Sequence, residues 1–127
     1  MDQLLRLVEE HGLRIVEEQG VTRGGFDPRS RTIRVRPGMS VRTTRSVIAH
    51  ELGHAVLGHV ATADPAARAR QEERADDWAA ALLISPRAYA EAEAARGPHP
   101  ASLAFDLGVT IELVLAFQRV LARRRAA

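Results

Sequence analysis

The 127-residue chain has no cysteine, which removes disulfides, thiol nucleophiles and thiolate metal sites together. Any metal must therefore be held by histidine and carboxylate. Lysine is absent too. All 18 basic residues are arginine, set against 16 acidic residues for a formal net charge of +2. Arginine stays charged at any relevant pH, so the sequence pI near 10.3 overstates how basic the chain is at neutrality. Long apolar runs are missing as well. The longest stretch free of Asp, Glu, Lys and Arg is Leu52–Ala63, twelve residues broken by two histidines, whereas a membrane span needs about 20 apolar residues. The opening MDQLLRLVEEHG is acidic early and has no cleavable signal pattern. These absences point to a soluble, cytoplasmic protein. The length suits one domain, residues 1–127, with a real hydrophobic core.

Seven arginines lie between Arg23 and Arg45 against only Asp27, and three more form Arg123–Arg125. Both runs read as solvated surface and frayed tail rather than as a site for an acidic partner.

The chain reads as a small, mainly helical α+β domain with strands confined to its first third. Leu4, Leu5, Leu7 and Val8 gather on one side of a helix over Asp2–Gly12, and Leu13–Glu18 reads as a strand. Gly24–Pro37 has the form of a hairpin, turning at Asp27-Pro28-Arg29-Ser30 before the alternating Thr32-Ile33-Arg34-Val35. Ser40 can cap a helix running to about Gly58, with Val41, Val47, Ile48, Leu52, Ala55 and Val56 on its apolar side. Pro65 opens a second long helix to Ile84, and Ser85-Pro86 starts a third covering Tyr89–Ala95. Arg96–Pro100 is a loop, followed by helices over Ala101–Leu107 and Thr110–Arg124. The domain thus divides into residues 1–39 (helix and hairpin), 40–86 (two long helices) and 87–127 (C-terminal helices).

The first long helix contains His50-Glu51-Leu52-Gly53-His54. Helical residues four apart differ by about 40° around the axis, so the two imidazoles face one way and can grip one zinc ion. Glu51 sits about 100° from His50, near enough to act as general base on a water without being a ligand. With 5 histidines in 127 residues, chance yields this HExxH pattern roughly 0.015 times per such chain. The competing account, two histidines merely hydrogen-bonded in the core, leaves three polar side chains in an apolar helix to be satisfied some other way.

A catalytic zinc needs a third protein ligand. His59 is out of register with the longer HExxHxxGxxH pattern, which wants glycine where Leu57 stands and histidine where Val60 stands. Glu72–Asp76 and Glu73–Asp77 on the next helix share the same four-residue spacing, which cannot choose between them. The apolar neighbours do. Ala75, Ala79, Leu82 and Leu83 define the buried side, with Glu72 and Asp76 on or beside it and the other pair further round. Glu72 is therefore the expected third ligand, and Asp76 the carboxylate behind it that accepts the outer N–H of a ligating histidine.

His50–His54, then Leu57-Gly58-His59, then Glu72 to Ile84 (EERADDWAAALLI) resemble the ImmA/IrrE family of HExxH zinc peptidases. Its pattern is HExGH…LGH followed by E-x-x-A-[ND]-x-[FW]-A-A-x-L-[LI] and usually proline; here Ser85 intervenes before Pro86. The likeness is strong over residues 40–86 and weaker outside them. It implies His50, His54 and Glu72 as ligands of one zinc per chain and Glu51 as catalytic base. It also implies the substrate: a helix-turn-helix repressor of a phage, mobile element or stress response. The expected reaction is zinc-assisted peptide hydrolysis, with Glu51 taking the proton of the attacking water and returning it to the leaving amine. Tyr89 and His99 are the candidates for a further donor to the oxyanion, though each is more often plain structure.

Leu103–Val114 has helix-turn-helix form, with Ala104, Gly108 and Val114 at the spacing of its small, turn and buried residues. Its expected outer face, Thr110, Ile111, Glu112, Leu115 and Ala116, lacks the Arg, Asn and Gln that read base edges and brings an acidic residue near the phosphates. Nucleic acid is accordingly not the expected partner, and no membrane is. The rival to a zinc endopeptidase is a non-catalytic interaction or DNA-binding module that retains the zinc fold.

Overall fold

The computed structural model describes residues 1–127, folded as α1 (Asp2–Glu10), β1 (Arg14–Glu17), β2 (Gly24–Asp27), β3 (Thr32–Val35), α2 (Val41–Val56), α3 (Pro65–Leu83), α4 (Pro86–Arg96), α5 (Pro100–Leu107) and α6 (Ile111–Ala126). It is the expected α+β domain, and its boundaries follow local chemistry. Ser40, Asp64 and Ser85 each accept a backbone N–H of the helix they open, from Thr43, Ala66 and Ala88, satisfying one of the orphan donors at a helix start. Proline at the first positions of α3, α4 and α5 supplies a helical φ where no N–H is needed. α2 stops at Val56, and α4 takes in the whole of Pro86–Arg96, so the expected loop shrinks to residues 97–99.

The sheet has the order β1-β3-β2. β2 and β3 form the expected antiparallel hairpin, Phe26 opposite Ile33. In its turn Asp27 accepts from the Arg29 N–H and the Ser30 hydroxyl. β1 runs parallel to β3, Ile15 beside Ile33, so β3 is central and β2 is an edge strand. The alternation of β3 turns Ile33 and Val35 inward beneath Val47, Ile48 and Leu52 of α2. On the other side of α2, α3 and α6 complete the core with Ala79, Ala80, Leu113, Val114 and Phe117.

Several expected apolar faces are narrower than the sequence pattern allowed. Val41 is 73% exposed at the start of α2, and Leu5, Val56 and Leu82 are also exposed. A helix touching its neighbours along one seam buries only a stripe, and residues at the ends and flanks of that stripe stay in water. No single helix is long and apolar enough to cross a membrane.

α5 and α6 meet at 103° around Gly108, which is left-handed at φ 68°, so the helix-turn-helix form is real. Its expected outer face needs correcting. Thr110 and Ala116 are buried, because the Thr110 N–H donates to Ser46 of α2 at 3.0 Å and docks the start of α6 against that helix. Only Ile111, Glu112 and Leu115 of that face remain accessible, and Glu112 is turned toward a neighbouring cleft.

Candidate metal centre

α2 and α3 cross closely because Gly53 lets them. A Cβ placed there would lie 3.1 Å from the Ala75 carbonyl oxygen and 3.3 Å from both its Cα and the Trp78 ring. Gly53 stands between the two histidines, and Ala75 stands one turn beyond Glu72. The close crossing therefore brings the Glu72 carboxylate over the imidazole pair.

Three donor groups converge there. His50 Nε2 lies 3.0 Å from one Glu72 oxygen, His54 Nε2 lies 2.9 Å from the other, and the two Nε2 atoms are 3.1 Å apart. The rings stand edge to face, 4.7 Å between centroids and 87° between planes. The remaining nitrogens are engaged elsewhere: His50 Nδ1 is 2.7 Å from Asp76 Oδ1, and His54 Nδ1 is 2.9 Å from His59 Nδ1. Glu73 and Asp77 turn instead toward α6, where Asp77 pairs with Arg119 and Arg123. Glu72 and Asp76 thus face the histidines of α2, whereas Glu73 and Asp77 face α6.

The donor set fits a divalent cation. Two imidazole nitrogens and a carboxylate form a triangle with sides near 3 Å, whereas tetrahedral ligands about 2.0–2.1 Å from zinc are separated by roughly 3.3 Å. An adjustment of a few tenths of an ångström suffices. The Glu51 carboxylate belongs to the same group, within 4.8 Å of ring nitrogens of His50 and His54, but Glu72 is nearer and bridges both. Glu51 is the buried one of the two.

The electrostatics follow from these contacts. Burial pulls His50 down, but hydrogen bonds to Asp76 and Glu72 and the charge of Glu51 outweigh it and push His50 up to about 10 in the metal-free site. Hydrogen bonds from His50 and His54 hold the Glu72 carboxyl far below the usual carboxylate range. Burial pushes Glu51 up, against the pull of His50 and His54. Burial and the charges of His54 and Arg74 hold His59 down.

The centre opens into a cleft of about 660 Å³. Its walls are residues 22–26 of the sheet edge, the inner face of α2, residues 59–62 after α2, α3 and the start of α6. Gly24 makes the sheet wall possible: a Cβ there would fall 2.4 Å from Val47 Cγ1 and 3.3 Å from Glu51 Oε2. Across the cleft Arg23 pairs with Glu112. Burial works to raise Glu112, but the hydrogen bond from Arg23 outweighs it and keeps that carboxyl low.

Arg23 and Glu112 were not legible as site residues, being 89 positions apart in sequence. The Gly24-Gly25 pair within a strand was the available signal, since glycine there marks close backbone approach. The two candidate oxyanion donors fall away. Tyr89 is buried, donating to Glu93 and accepting from Gln118, and His99 is the residue preceding α5. Neither lines the cleft.

An HExxH helix under a small sheet, crossed by a second helix that adds a glutamate, is an arrangement of metallopeptidase type. The family model of the IrrE N-terminal-like domain, Peptidase M78, matches residues 8–117, and the chain belongs to that family. A search of curated proteins returns no match, so the assignment rests on the family model and the geometry above.

Proposed function

We propose that this chain is a cytoplasmic zinc endopeptidase, one catalytic domain over residues 1–127, that hydrolyses a peptide bond in a regulatory protein. Its substrate is a helix-turn-helix repressor of a phage, mobile element or stress response, as the family likeness implies. The observation that carries the reading is the convergence of His50 Nε2, His54 Nε2 and the Glu72 carboxylate beside the buried Glu51, at the wall of an open cleft. In this reading His50, His54 and Glu72 hold one zinc ion, and Asp76 orients His50 by accepting its Nδ1–H.

Zinc held there supplies Lewis acidity toward water and the scissile carbonyl. Glu51 takes the proton of the attacking water and delivers it to the leaving amine; its burial-raised pKa makes it a stronger base than an exposed carboxylate. The edge strand β2 lines the cleft, so an extended peptide can add to it through main-chain hydrogen bonds. The cleft volume is in the range that seats several side chains.

The test is Glu51→Gln, assayed for bound zinc and for cleavage of purified helix-turn-helix repressors. Retained metal with cleavage reduced by about 10²–10⁴-fold supports the peptidase. A wild-type chain that binds its repressor without cutting it, and a variant that does the same, would favour the interaction module.

A further inference from the structure

His59 is a cleft histidine to which the proposed reaction gives no task. α2 ends at Val56, Leu57 caps it, and Gly58 turns the chain at φ +69°, a conformation that glycine adopts without strain. The His59 N–H then donates to the His54 carbonyl at 3.0 Å. This turn lays the His59 ring against the His54 ring, centroids 5.1 Å apart at 64°, with the two Nδ1 atoms 2.9 Å from each other.

We infer that His59 is a positioning residue for His54: its bare Nδ1 accepts the Nδ1–H of His54 and so keeps the His54 Nε2 lone pair aimed at the point where His50 and Glu72 converge. The inference rests on the reading that this triangle holds a metal. A neutral imidazole carries one proton on two nitrogens, and the nitrogen that faces a metal must be bare. For His54 the facing nitrogen is Nε2, 3.1 Å from His50 Nε2 and 2.9 Å from Glu72. With a metal held at that point its proton would sit on Nδ1, where His59 Nδ1 is the side-chain acceptor at hand. The proton of His59 is then on its own Nε2. The two ligating histidines thus have unlike supports. Asp76 backs His50 with a charge, whereas His59 backs His54 with a neutral ring that fixes tautomer and orientation. His59 is not itself aimed at the convergence point, which agrees with its being out of register as a ligand.

The test compares zinc affinity in the full chain, His59→Ala and His59→Asn by competition with a chromophoric chelator, together with the visible absorption of the Co²⁺-loaded proteins. His59 is half-buried on a connecting segment, so truncation there leaves the core intact. Asparagine carries its amide oxygen about where imidazole carries Nδ1, so it restores the acceptor without the ring. His59→Ala should weaken zinc binding by about 10–100-fold and shift the cobalt bands, and His59→Asn should recover most of both. Equal affinity in wild type and His59→Ala overturns the role of His59 while leaving the metal site standing. His59→Asn as weak as His59→Ala overturns the hydrogen-bond account. Two metal equivalents in wild type, one lost with His59, would make His59 a ligand and overturn it too. A wild-type chain that binds no zinc overturns both this inference and the reading beneath it.

Discussion

Gly53 of α2 rests on the backbone of Ala75 of α3, so closely that a methyl group there would lie 3.1 Å from the Ala75 carbonyl oxygen and need its neighbours to give by a few tenths of an ångström. That contact sets how near Glu72 comes to His50 and His54, so the glycine inside the HExxH segment acts on the site without touching it.

Gly53→Val should cost about 1–3 kcal/mol in urea unfolding through overpacking, and weaken metal binding by lifting Glu72 away. Gly53→Ala should cost less, because alanine regains about 1 kcal/mol of helix propensity. Metal affinity that is unchanged in the valine variant would mean that the crossing does not position Glu72.

Glu72→Ala should lose most of its zinc after dialysis, whereas the wild-type chain keeps about one ion per molecule, measured by atomic emission. Because a metal that binds only the folded state stabilises it by mass action, chelator should lower the melting temperature of the wild type and leave that of Glu72→Ala nearly unchanged.

Asp76 and Asp77 are adjacent in sequence and opposite in consequence. Asp76→Asn removes the charge behind His50 and should weaken zinc binding by about 10–100-fold. Asp77→Asn breaks its links to Arg119 and Arg123, should cost about 1 kcal/mol of stability, and should leave zinc affinity alone. Reversed results would mean that the α3 faces are assigned the wrong way round.

The metal-free chain should be most stable between about pH 4.5 and 6.5. Glu72 is lowered from 4.5, first by its hydrogen bond from His50, so its contribution is present above that value and is lost as pH falls. His50 is raised from 6.5 to about 10, Asp76 and Glu72 overcoming burial. Its contribution is therefore present below 6.5 and is lost as pH rises toward 10. With Glu72 half in solvent, the acid arm should be the shallower one. Melting curves in excess chelator across this range check the shape, and a melting temperature that climbs from pH 6.5 to 10 would contradict it.

Much of the site was readable because its signals are local. His50 and His54 share a face through helical periodicity alone, and Ser40 and Ser85 announce their helices through their own side chains. The wall of the cleft was not readable. The parallel pairing of β1 with β3, the contact of Gly24 with Glu51 and the Arg23–Glu112 pair all join segments far apart in the chain, and no local preference encodes them.

The sequence by itself determined the helices, their caps and the chemical identity of the donor set, because spacing and side-chain chemistry act within a few residues. Tertiary structure decided which carboxylate meets the imidazoles, that His59 folds back onto His54, and that the start of α6 closes one side of the cleft instead of facing outward. Those outcomes depend on how closely α2, α3 and α6 pack, which is set by steric contacts such as Gly53 against Ala75 and by the hydrogen bond from Thr110 to Ser46.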